Sequence, residues 1–114
     1  MTANKEIIIP ENKLRIKLAI RKNCLGKDNV DTKNKLLTTL NIKESTLSRW
    51  LSLNDTNGPG IEDLPLIAEV FNTTVNGLYG IEDSRIEKAL ILYNAYINNP
   101  QHQQSIDALL GIKW

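Results

Sequence analysis

A chain of 114 residues with 41% apolar side chains can bury one ordinary core, which excludes wholesale disorder and leaves room for a domain with an appended element. No run of about 18 apolar residues is present, so no membrane span is expected, and EIII at 6–9 is too short and wrongly flanked for a signal peptide. The net charge of +1 hides an asymmetry: residues 1–50 hold eleven Lys/Arg against five Asp/Glu, a balance of +6, whereas residues 51–114 hold three against eight, a balance of −5. A basic first half facing phosphate with an acidic second half turned away suits a nucleic-acid partner; a solvated mix of charges is the plainer reading.

Residues 1–10 read as an arm. Ile7, Ile8 and Ile9 before Pro10 have β character but no evident partner, so the arm crosses the body, pairs with its twin in a dimer, or sends Lys5 into a groove. A first helix is expected over 11–23, with Leu14, Leu18 and Ile20 inward and Lys13, Arg15, Lys17, Arg21 and Lys22 solvated. Cys24 closes it. A lone Cys excludes an internal disulfide and fits a cytoplasmic location, and it reads as a small buried hydrophobe rather than a redox switch.

Gly26 and Asp28-Asn29 mark a loop over 24–30, after which Asp31 or Thr32 caps a second helix that buries Leu36, Leu37 and Leu40. Asn41 is one of the few non-glycine residues that enters a left-handed conformation cheaply, and Ile42 plugs the corner. A third helix carries Leu47, Trp50 and Leu51 on its inner face. Glu44, Ser45, Ser48, Arg49 and Ser52 form the other, a polar and accessible face that suits reading base edges in a major groove.

The stretch LNDTNGPG at 53–60 is turn-rich, and Asn54, Thr56 and Asn57 there are placed to hydrogen-bond phosphates. A helix over 61–71 follows, its effective start shifted toward Asp63 by Pro65, with Leu64, Ile67, Ala68 and Phe71 inward. Thr73 or Thr74 caps a short helix that buries Val75 and Leu78 and ends at Gly80. Beyond it, Ser84-Arg85-Ile86-Glu87 is a capping-box pattern opening a helix to about residue 98. Asn99-Pro100 launches a last helix through Ile106, Leu109 and Leu110 to Gly111. This hairpin shows more apolar surface than a small domain needs. Leu90, Leu92, Tyr93, Tyr96, Ile97, Leu109 and Leu110 are therefore the candidate dimerisation residues, extra core being the alternative.

With Leu36, a turn residue at 41, Ile42 and Ser-Thr-Leu-Ser-Arg-Trp at 45–50, the chain resembles the helix-turn-helix of the lambda-repressor/Cro (Xre-like) family. The resemblance continues through DLPLIAEVFNTTVNGLYG at 63–80, which looks like that family's fourth helix and closing short helix, and it covers roughly residues 13–80. It implies an all-α fold: a five-helix repressor-type domain over 11–80, preceded by the arm and followed by the helical hairpin of 81–114. It also implies DNA contacts from Lys33, Lys43, Glu44, Ser45, Thr46, Ser48 and Arg49, with Asn54 and Asn57 at the loop. Three departures bear on docking angle rather than fold. Leu37 stands where the family has a small residue, Lys43 where a Ser or Thr often caps the recognition helix, and the loops at 23–31 and 52–60 look long. Lys33 replaces a Gln that braces that helix; a Lys keeps a phosphate role and loses the amide bracing.

Arg49 either pairs with guanine O6 and N7, grips a phosphate, or is plain surface. Glu44 either accepts from cytosine N4 or simply favours the positive helix start. No catalytic constellation, glycine-rich phosphate loop or metal-ligand spacing is visible, and the only His, His102, reads as surface, so no enzyme and no cofactor are expected. The reading is a phage-type or mobile-element repressor, binding double-stranded DNA at a near-palindromic operator as a homodimer through the hairpin. On that reading, cutting after Gly80 leaves a folded monomer. The rival reading is a protein-interaction module on the same scaffold, an antitoxin or an inhibitor of a host protein.

Overall fold

In the structure, a computed structural model, residues 9–81, 83–95 and 101–114 are described. Among these described residues the α-helices are α1 (Glu11–Cys24), α2 (Val30–Leu40), α3 (Glu44–Leu51), α4 (Leu64–Val70), α5 (Val75–Leu78), α6 (Ser84–Ala95) and α7 (Gln101–Leu109). Single turns of 3-10 helix, Lys27–Asn29 and Ile61–Asp63, lead into α2 and α4, and no strand occurs among the described residues. The helices fall where hydrophobic periodicity places them. No helix among the described residues is long and apolar enough to cross a membrane.

Helix α1 is the shaft of the molecule. A surface helix buries one stripe, but α1 buries Leu14, Ile16, Lys17, Leu18, Ala19, Ile20, Arg21 and Cys24. On one side Leu14 and Leu18 join Ile9, Leu53, Ile86, Ala89, Leu90, Tyr93, Ile106, Leu110 and Ile112. On the other, Ile16, Ile20 and Cys24 join Leu36, Leu47, Trp50, Leu51, Leu64, Ile67, Ala68 and Leu78. The C-terminal hairpin is thus half of the core rather than an appendage, and the boundary expected at residue 80 does not divide the packing. Its apolar stripe is covered by α1 of the same chain. Leu90, Tyr93 and Leu110 are buried there and are not free to meet a second copy, while Leu92 and Leu109 are half-buried. Tyr96, Ile97, the Asn99-Pro100 cap, Lys5, Ile7, Ile8 and the side chain of His102 lie outside the described residues.

Several local details differ from the sequence reading. Helix α2 begins at Val30, and neither Asp31 nor Thr32 caps it, because the chain enters through the 3-10 turn. Asn29 instead donates its side-chain amide to the carbonyls of Lys22 and Leu25 at the end of α1. At α6 the capping residue is Asp83, whose Oδ1 accepts from the Arg85 N–H at 2.9 Å; Ser84 is already helical. Thr74 caps α5, its Oγ1 accepting from the Gly77 N–H at 3.0 Å. Trp50 is buried, as its place on the inner face of α3 requires. Cys24 is buried and free, its thiol pushed up to about 12 by desolvation despite the nearby charge of Lys33, so it stays protonated and unreactive.

Candidate functional site

The exposed face of α3 is built from its ends inward. Asn41 adopts φ 52°, ψ 48° and closes α2, its N–H reaching the carbonyls of Leu37 and Thr38. The chain turns through Ile42 and Lys43, and α3 starts at Glu44 with Lys43 extended at the cap position and making no side-chain cap. Leu47, Trp50 and Leu51 are buried, which fixes the rotation of the helix. Glu44, Ser45, Ser48 and Arg49 are consequently exposed, as is Lys43, and Thr46 is half-buried. The face offers hydroxyls, which donate and accept, beside one guanidinium.

Lys33 of α2 reaches across the turn to Glu44, Nζ to Oε1 at 3.2 Å. The bracing expected to be lost with an amide is therefore replaced by an ion pair between α2 and the first residue of α3. Glu44 is largely exposed, so the pair contributes at most about 1 kcal/mol. It also occupies both groups, so neither is unencumbered for a ligand.

Beyond α3 the loop carries Asn54, exposed, with its N–H on the hydroxyl of Ser52. Asn57 turns inward chemically: its backbone N–H and its side-chain Nδ2 both donate to Oδ1 of Asp55. That leaves one N–H of its amide for a phosphate. The Asn57 N–H, its side-chain amide, and the charges of Lys17 and Arg49 together hold the Asp55 carboxyl below its usual range against some desolvation. Asp55 thus stands as an anion near Arg49, a neighbour that the turn-rich composition did not single out.

The end of α3 rests on two cations of α1 that the sequence reading assigned to solvent. Lys17 has no exposed surface and donates from Nζ to the carbonyls of Arg49, at 2.8 Å, and Asn57, at 2.5 Å. Arg21 is 4% exposed and donates from Nη1 to the carbonyl of Leu51 at 2.6 Å. Its Nε and Nη2 grip the buried carboxylate of Asp107 in α7, the closest contact being 2.6 Å. A signal for this was present. Positions 14, 17, 18, 21 and 24 share one helical stripe, so Lys17 and Arg21 fall among Leu14, Leu18 and Cys24.

The charge asymmetry is spent largely inside the molecule. Arg15 pairs with Glu87 at 2.6 Å, Lys22 with Asp83 at 2.5 Å, and Arg21 with Asp107. The acidic second half binds the basic face of α1 instead of turning away from a ligand. Of the first half's cations, Lys13, Lys17, Lys27, Lys35, Lys43 and Arg49 form no ion pair with a described residue. No protein family, no curated protein and no solved structure matches the chain.

Proposed function

We propose that the chain is a sequence-specific DNA-binding regulator of transcription, with α2 and α3 acting as a helix-turn-helix and α3 entering a major groove. The observation that carries this is the division of α3. Three large apolar side chains lock it onto the core, while Ser45, Ser48 and Arg49 stand in solvent on a face of hydroxyls and one guanidinium. Such groups match base edges, and Arg pairs bidentately with guanine. Lys43, extended at the cap position of α3, stands beside the face without an ion pair among the described residues and supplies a phosphate contact. Because one such unit covers few base pairs, a homodimer on a near-palindromic operator is part of the proposal.

Fluorescence anisotropy with duplex from upstream of the chain's own gene tests it. Affinity is expected to fall with salt at a log–log slope of about −0.9 per phosphate contacted. Arg49→Ala is expected to cost roughly 1–3 kcal/mol on the specific duplex and to relax preference at one base pair. Equal losses on specific and random duplex would place Arg49 on a phosphate, and an affinity flat with salt would remove DNA as the partner. A second reading, an interaction surface for another protein on the same scaffold, draws on Glu44 and Asp55, two acids beside the exposed face.

A further inference from the structure

We propose that Lys17, Arg21 and Asp107 are positioning residues for α3, so that the C-terminal hairpin is part of the DNA-reading apparatus. The functional half of this rests on the DNA reading above. The last four carbonyls of a helix lack intrahelical partners and carry the negative end of its dipole. In α3 these belong to residues 48–51. The Ser52 N–H takes those of Ser48 and Arg49, at 3.1 and 3.3 Å. Lys17 adds a second donor to Arg49, and Arg21 supplies the one on Leu51.

Arg49 joins both sides of the arrangement: its carbonyl is gripped from inside by Lys17 while its side chain is exposed on the reading face. A tilt of the helix end moves the guanidinium with it. Asp107 takes Nε and Nη2 of Arg21, which leaves Nη1 directed at Leu51 and fixes the plane of the fork. Lys17 also holds Asn57, so the loop after α3 is fixed to the same point. Stability alone gives little reason for such a cluster, since well-packed apolar residues commonly replace a buried ion pair without loss. What they do not replace is the directed bond to the helix end.

The test uses the full chain and the double variant Arg21→Met/Asp107→Leu, which removes both charges without leaving either orphaned. Its melting temperature is expected to stay within a few degrees of wild type. Amide hydrogen exchange at Trp50, Leu51 and Ser52 is expected to quicken by roughly tenfold relative to α4. Affinity for the specific duplex is expected to fall roughly three- to thirtyfold with random-duplex affinity unchanged, because no exposed cation is lost. Lys17→Met, read the same way, decides the matter if the double variant does not fold. A folded variant with unchanged exchange overturns the clamp. Faster exchange with unchanged specific affinity overturns its positioning role and leaves it merely structural. If wild type binds no duplex, the DNA reading fails, while the exchange rates still decide whether the clamp exists.

Discussion

A lysine without exposed surface is under pressure to give up its proton. Lys17 meets two carbonyls and no carboxylate at ion-pair distance among the described residues. Desolvation lowers its ammonium to about 8; Asp55 opposes the shift, and Lys13 and Arg21 add to it. The neutral amine still has two N–H groups, one for each carbonyl, so the clamp survives deprotonation. Because the folded chain binds fewer protons here than the unfolded chain, the cost of burying the charge is fully present below about 8 and gone above the ordinary value of 10.5. Stability should therefore rise with pH through that window, by roughly 3 kcal/mol at most. Cys24 works the other way above its ordinary 9.0, since the unfolded thiol ionises first. Comparing wild type with Lys17→Met cancels the thiol. Urea denaturation from pH 7.5 to 10.5 should show the difference moving in favour of wild type, and a constant difference would mean that Lys17 keeps its charge. Sequence could place Lys17 on the apolar stripe but not supply its acceptors, which come from 32 and 40 residues further along the chain.

At the scale of an element, the helices and the left-handed turn at Asn41 were legible because each depends on a few neighbouring residues. Caps were less so. Asp83 and Ser84 are both good capping residues, and the pattern Ser-Arg-Ile-Glu favours the second. Tertiary contact decides for the first: Asp83 also accepts from Lys22 of α1 at 2.5 Å, which holds the start of α6 against α1. Desolvation of Asp83 is outweighed by Lys22 and the N–H groups of Arg85 and Ile86, so its carboxyl sits below the ordinary range. Asp83→Ala should accordingly cost about 1–2 kcal/mol in thermal denaturation, as loss of a cap does, and Ser84→Ala a few tenths at most. Equal effects would return the capping role to Ser84. The stabilisation from Asp83 is present above pH 3.8 and disappears as pH falls through its lowered value.

For the whole molecule, what counts is that both core clusters are built on α1. Periodicity identified the apolar stripes of the hairpin, yet a stripe states only that it must be covered, and the partner turned out to be Leu14 and Leu18 rather than a second copy. Cutting after Gly80 would strip Ile86, Leu90, Tyr93, Ile106 and Leu110 from that cluster and leave Arg21 without its carboxylate, holding only the Leu51 carbonyl. Such a chain should show no cooperative melting by circular dichroism, whereas the full chain should unfold in one transition. A sharply melting truncated chain would restore the independent domain. The distance between Arg21 and Asp107 along the chain, 86 residues, also sets a timetable. At about 5–20 residues per second of synthesis, Arg21 waits on the order of 4–17 s for its carboxylate. For the last 56 residues of that stretch a nascent chain has α3 and Arg49 already made while the brace from α7 does not yet exist.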